Sequence, residues 1–220
     1  MAKPLVIFGT GPYAEVARVL WEHDGGRDVV AFTVQEQYLD RRELRGLDVV
    51  AFERIPERFP PATHDLFVAV GARDVNRLRA SICERAKARG YVLPSYVSPR
   101  ATTFPDLTIG ENSFVFEDNT IQPFVTIGDD VVLWSGNHIG HHARIGDHCF
   151  VTSHVVVSGN VKIGAYSFVG VNATLRDSIE IGEGSVIGAG ALVMRSTQPR
   201  EVYVAPRTKP DQRTSDEIGL

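Results

Sequence analysis

The sequence predicts two joined architectures: a small parallel α/β domain over 1–100 and a parallel β-helix over 101–195, with a C-terminal cap and tail over 196–220. Three observations predict this. An aliphatic residue recurs every six positions from Ile109 to Val193 without a slip. Strand-like and helix-like segments alternate through the first hundred residues. A glycine-bearing turn, Gly9 to Ala14, joins the first of those strands to the first helix.

The repeat is the stronger signal. Ile121, Leu133, Ile139, Ile145, Val157, Leu175 and Ile187 are members of the aliphatic series, and small or β-branched residues such as Ser113, Val131, Ala143, Cys149 and Ala173 precede them by two places. Two inward residues flanking one outward residue make a short strand of period two. Glycine often follows the aliphatic residue, as at Gly110, Gly128, Gly146 and Gly164, and glycine or a polar residue is expected to allow the corner. Three corners close one triangular coil, so the series makes about five coils stacked at roughly 4.7–4.9 Å by strand hydrogen bonds. A β-sandwich does not hold a fixed six-residue frame through its turns. The usual crossover rule would wind such coils right-handed.

In the first hundred residues, Pro4–Gly9, Val29–Val34 and His64–Gly71 read as strands. Tyr13–His23 has an apolar helical face, and a second helix is expected from Asp74 to about Arg89, capped by Asp74 and ended by Gly90. Ser95–Pro105 reads as a linker. Val202–Ala205 is expected to cap the last coil, and Thr208–Leu220 to be mobile.

The bulk numbers suit a soluble globular protein, with 43% hydrophobic and 23% charged residues. A net charge of -4 argues against a nucleic-acid-binding face. No apolar run is long enough for a bilayer, and the N-terminus runs directly into a strand rather than a signal peptide. Cys83 and Cys149 lack metal-type spacing, and a reducing cytoplasm is expected.

Gly9-Thr10-Gly11-Pro12-Tyr13-Ala14 matches GxGxxA. A dinucleotide site would need an acidic residue after the second strand, and Phe32-Thr33-Val34-Gln35 supplies none. The turn is read either as a tight strand-to-helix connection or as the place where a nucleotide sugar meets a helix N-terminus.

The chemistry concentrates between Asn137 and His154, which holds five of the seven histidines: His138, His141, His142, His148 and His154. None takes the inward aliphatic position, so each projects outward or sits at a corner. A neutral imidazole there can act as a general base near pH 7.

The run Ile139-Gly140-His141-His142-Ala143-Arg144-Ile145-Gly146-Asp147-His148-Cys149-Phe150 resembles the catalytic segment of hexapeptide acyltransferases. Together with the N-terminal half, the chain resembles the sialic acid O-acetyltransferase and bacillosamine and perosamine N-acetyltransferase family over nearly its whole length. The resemblance implies a left-handed β-helix, a small Rossmann-like parallel sheet and a homotrimer using acetyl-CoA. It places the general base at His141, with His142 beside it where the family has an acidic residue. Asp147 is the nearest carboxylate in sequence. It places Gly159, Val171, Ala189 and Gly190 along the acetyl-CoA channel, and Phe150 where some members have a CoA-contacting histidine. Gly9, Thr10 and Gly11 would touch the nucleotide sugar, with Tyr13, which stands where the family's loop has a histidine, and His138 as further substrate contacts. Flat prism faces in a trimer would bury Trp134 and Tyr166 between subunits.

The implied reaction is direct acetyl transfer to a sugar, most simply to the amino group of a nucleotide-linked amino-deoxy sugar used for a bacterial surface polysaccharide. A hydroxyl of a sialic-acid-like sugar is the alternative acceptor. A zinc site of the β-helical carbonic anhydrase kind is a different class. It needs histidines in register on adjacent coils, and Pro123 and Gly159 stand 18 residues either side of His141. A non-catalytic assembly subunit is a third class, which the clustered histidines disfavour. Neither nucleic acid nor membrane is an expected partner, and no metal ligand is assigned.

Overall fold

The computed structural model describes residues 2–218. Met1, at the start of the expected first domain, and Gly219 and Leu220, at the end of the expected tail, lie outside the described residues.

The N-terminal half is a five-stranded sheet in the order β3-β4-β2-β1-β5, formed by β1 (Leu5–Phe8), β2 (Val29–Val34), β3 (Glu43–Leu44), β4 (Leu47–Ala51) and β5 (Asp65–Val68). All pairings are parallel except β3 with β4. β3 and β4 were not expected; β4, Leu-Asp-Val-Val-Ala, pairs parallel with β2 and extends the sheet beyond it. Helices α1 (Pro12–His23), α2 (Ile55–Arg58) and α3 (Arg77–Ala88) complete this half. α3 starts three residues later than expected and Asp74 does not cap it. Asp74, Val75 and Asn76 hold left-handed φ of 53°, 45° and 67°. The cause is tertiary: the Asn76 side-chain amide donates to the carbonyls of Tyr166 and Ser167, 3.3 and 3.2 Å away on the β-helix.

From Tyr96 onward the chain winds into a prism with three parallel faces. One face carries Thr108, Thr126, Arg144, Lys162 and Glu180 outward. A second carries Tyr96, Phe114, Val132, Phe150, Phe168, Val186 and Val202. The third carries Thr120, His138, Val156, Thr174 and Leu192. Residues pair with those 18 positions on, as Thr126 with Arg144 and His138 with Val156. The expected linker is already part of this winding, because Tyr96–Val97 pairs with Phe114–Val115 and Thr102 bridges Thr120. At the far end Val202–Tyr203 pairs with Val186–Ile187, and Tyr203 and Ala205 cover the last coil. The polar tail contains one short helix, Ser215–Ile218.

The inward aliphatic residues Ile121, Leu133, Ile139, Val151, Val157, Val169, Leu175 and Ile187 are all fully buried. Each contributes about 1.5–3 kcal/mol of burial. The expected corner role of the repeat glycines is corrected. Left-handed φ falls three places after each aliphatic residue from Ile109 to Ile187, at Asn112, Asp130, His142, His148, His154, Asn160, Tyr166 and Ser178 among others. The glycines next to the aliphatic residues serve close approach instead. A Cβ on Gly146 would sit 2.7 Å from the Ala165 nitrogen of the next coil, and one on Gly164 2.6 Å from that of Glu183.

The second face is covered by the N-terminal half. Tyr13, Trp21 and Phe67 pack on Tyr96, Phe114, Phe116, Trp134 and Phe150 in one cluster. Phe116 stacks on Trp134 at 4.2 Å, and Tyr96 on Phe114 at 4.5 Å. Trp134 is therefore covered within its own chain, and Tyr166 is held by Arg77 and His148. Both remain half-buried.

Candidate active site

His141 sits at the edge where the third face turns into the first. Its N–H donates to Gln122 Oε1 at 2.8 Å, and its carbonyl accepts the Asn160 N–H at 2.9 Å. Hydrogen bonds to the coils on either side thus fix its backbone. Its ring lies against the backbone of the coil above: a Cβ on Gly159 would be 2.7 Å from His141 Cε1. Only glycine leaves that space open.

The His141 ring bonds His142, with Nδ1 to Nδ1 at 3.1 Å and the rings nearly perpendicular. One proton must occupy this bond. When His141 Nδ1 carries it, His141 Nε2 is an unprotonated acceptor suited to general-base work. His142 has φ of 58° and packs on Phe124 at 4.6 Å. The pair is exposed at the prism edge.

Asp147 does not orient His141. Its Oδ1 accepts the Asp129 N–H at 2.9 Å on a different edge. The carboxylate that does meet one of the clustered histidines is Asp130, which sequence reasoning missed. Its Oδ2 lies 2.9 Å from His148 Nδ1, and its Oδ1 accepts from Arg79 Nε at 2.7 Å and Asn112 Nδ2 at 2.9 Å. Arg79 and Asp130 are both buried, and Arg79 also donates to the carbonyls of Asp130, His148 and Cys149. Asn112 caps β5 by bonding both the N–H and the carbonyl of Val68. These contacts lock α3 and β5 onto the β-helix. A helical arginine at a polar-looking position gave no periodic signal, so only contact across the two halves could reveal them. His148 belongs to this lock.

The residues expected along the acetyl-CoA channel are split. Gly159 stands beside His141. Val171, Ala189 and Gly190 lie on the next edge, across the third face, where the His154 ring covers Gly136. One protomer does not bring this second edge to His141. His138 projects from the strand that leads to His141 and is half-buried. Phe150 is a correction: it is 7% exposed, stacks on Phe168 at 6.0 Å and lies under the Arg79 guanidinium at 5.6 Å. Its ring belongs to the packing between the two halves and has no free face for CoA.

The glycine turn lines a separate cleft of 470 Å³ at the carboxyl ends of β1, β2 and β5, the usual ligand position in an open α/β sheet. Gly9, Thr10, Gly11 and Tyr13 all contribute to it. Gly9 has φ of 127°, and a Cβ there would sit 2.6 Å from the Ala69 carbonyl oxygen. A Cβ on Gly11 would meet nothing, so its backbone faces open space. Tyr13 is largely turned inward, its hydroxyl lacks a partner, and burial pushes its pKa far up. The two cysteines are unpaired and buried. Burial raises the Cys149 thiol to about 12, so it stays protonated and makes a poor acyl carrier. Among the described residues no group of three or more metal-ligating side chains converges.

The sequence pattern described as bacterial transferase hexapeptide (six repeats) matches residues 124–159 and 160–195. No curated protein matches the sequence. Among solved structures, a mutant of perosamine N-acetyltransferase from Caulobacter crescentus in complex with CoA and GDP-perosamine is 27% identical, with a TM-score of 0.83 over 96% of this chain and 99% of that one. The acetyltransferase domain of PglB from Neisseria gonorrhoeae in complex with acetyl coenzyme A is also 27% identical, with a TM-score of 0.78 over 89% of this chain and 93% of that one. WeeI from Acinetobacter baumannii, at 17% identity and a TM-score of 0.71 over 90% of this chain and 94% of that one, shares the fold. Residues 124–195 are thus bacterial transferase hexapeptide repeats, and nearly the whole chain is similar in structure to acetyl-CoA-dependent sugar N-acetyltransferases.

Proposed function

We propose that this enzyme transfers an acetyl group from acetyl-CoA to the amino group of a nucleotide-linked sugar, with His141 as general base. The observation that carries the reading is the His141 imidazole, fixed between coils, hydrogen-bonded through Nδ1 to His142 and resting on the bare backbone of Gly159. The similar structures support both substrates, since one holds CoA with GDP-perosamine and another acetyl-CoA.

The amine nitrogen attacks the thioester carbonyl carbon. His141 Nε2 takes a proton from the nitrogen as the C–N bond forms. The C–S bond then breaks, and the proton passes to the CoA sulfur. The products are an amide and a free thiol, and no acyl-enzyme is needed. Holding both substrates in one cleft supplies much of the rate by orientation. His142, replacing the family's carboxylate, keeps the His141 ring oriented and its Nε2 free without adding a negative charge.

The same reading makes the active unit a homotrimer. The third face leaves Val156, Leu192, Val171, Met194 and Phe124 exposed, and Leu192 is 63% accessible. A second copy on that face would bury these residues and bring its own edge of Val171, Ala189 and Gly190 towards His141. Use of acetyl-CoA and the two free thiols support a cytoplasmic setting. No helix among the described residues is long and apolar enough to cross a membrane.

The test is CoA thiol release with acetyl-CoA and a panel of nucleotide-linked amino sugars. His141→Ala should lower kcat by about 10²–10⁴-fold while the protein keeps its fold. Near-full turnover in that variant would remove His141 from the base role.

A further inference from the structure

The cleft at the glycine turn holds features that bear on which nucleotide it takes. Its walls come from β1, the turn, the end of β2, the segment after β5, and α3. None of its lining residues is a carboxylate, and Arg73 is its one charged group. Arg73 is exposed and makes no ion pair or hydrogen bond among the described residues, so it is free to meet a diphosphate. At the β2 end stand Gln35 and Tyr38. The Gln35 side chain makes no hydrogen bond among the described residues; only its carbonyl is engaged, by the Tyr38 N–H at 2.8 Å. The Tyr38 ring is 54% exposed and offers a flat apolar surface.

Base chemistry separates the candidates. Guanine presents two adjacent donors, N1–H and the N2 amino group, which a carboxylate satisfies as a pair. Uracil and thymine present N3–H flanked by two carbonyl oxygens. A primary amide matches that edge, its oxygen accepting from N3–H and its NH₂ donating to a carbonyl oxygen. Against guanine the same amide leaves one donor unmet, and an unmet buried donor is what selects against a ligand.

We infer that this cleft accepts a uracil or thymine nucleoside diphosphate in preference to guanine, with Gln35 reading the base edge, Tyr38 stacking on the base and Arg73 facing the diphosphate. This rests on the nucleotide-sugar reading above and goes further by naming the base class and the residue that selects it. The selection arises where the chain carries an amide in a cleft free of carboxylates, so it is reversible by one atom-for-atom exchange of NH₂ for O⁻.

The experiment is calorimetric titration of the intact protein with UDP, dTDP, GDP and ADP, without acetyl-CoA. UDP or dTDP should bind more tightly than GDP by roughly 5- to 150-fold, the range of one bidentate base contact. Gln35→Glu should shrink or invert that ratio. Tyr38→Ala should weaken all four ligands while keeping the ratio, and Arg73→Ala should do the same with a reduced salt dependence. Tightest binding of GDP or ADP, or a ratio unchanged in Gln35→Glu, would overturn the inference and leave the acetyltransferase reading standing. Binding of none of the four would overturn both the inference and the nucleotide-linked acceptor. Acetyl transfer to a free sugar would then show whether the transferase itself survives.

Discussion

In the proposed site, His141 and Gly159 are held together by backbone geometry more than by side-chain contacts. The imidazole occupies the space a Cβ on Gly159 would fill. Gly159→Ala should therefore displace the ring and not the coil, because the ring is exposed and can swing. A displacement near 1 Å costs about 10²-fold in turnover. Steady-state kinetics should show that loss with a melting temperature close to the parent's. A large fall in melting temperature instead would mean the glycine serves the coil. Arg79 is the opposite case. It is fully buried, and its charge meets Asp130 at 2.7 Å. Removing one partner of such a pair strands the other, at a cost of about 3–5 kcal/mol. Arg79→Ala should lower unfolding free energy in urea by that much, and replacing Asp130 as well should recover part of it. His148 was legible as a histidine at a corner. Its attachment to Asp130 was not, because Asp130 looks like any polar corner residue until α3 is docked on it.

At the scale of one coil, two positions share the work expected of a glycine or polar residue at one corner. The left-handed corner takes mostly Asn, Asp, His and Ser at a φ near 60°, with aromatic residues at Phe124 and Tyr166 and glycine at Gly136, Gly184 and Gly190. The position after the aliphatic residue takes glycine because the next coil's backbone is within 3 Å of where a Cβ would be. The two should respond oppositely to substitution. Gly146→Ala should destabilise strongly, since the atoms it meets belong to the backbone. Ser178→Gly, at φ of 58°, should be neutral or stabilise by up to about 1–2 kcal/mol, the penalty an L-residue carries in that region. Thermal unfolding of the two variants checks both signs. The six-residue period is plain in the sequence because every inward residue repeats a buried role. The assignment of corner against close approach is not, because glycine satisfies either demand.

For the whole molecule, the decisive fact is the division of the prism into one covered face and one open face. The N-terminal half covers the second face with an aromatic cluster that includes Phe150 and Trp134. The third face keeps its apolar residues exposed between the His141 edge and the edge of Val171, Ala189 and Gly190. Leu192→Glu should therefore convert the expected trimer to a monomer in light scattering. CoA thiol release should fall with it, because the two edges of the site would no longer meet. A parent protein that is fully active as a monomer would refute the shared site.

The sequence alone determined the β-helix, its 18-residue coil and the edge position of His141, because a periodic aliphatic series has one way to bury itself. It also determined the glycine turn at the end of β1, since few residue types fit a tight strand-to-helix connection. Only the tertiary structure decided which face the N-terminal half covers, and with it that Phe150 and Trp134 are packing residues. It alone decided that Asp130, and not Asp147, holds a histidine. Those outcomes depend on residues far apart in the chain meeting across the interface, and no local pattern or spacing encodes such a meeting.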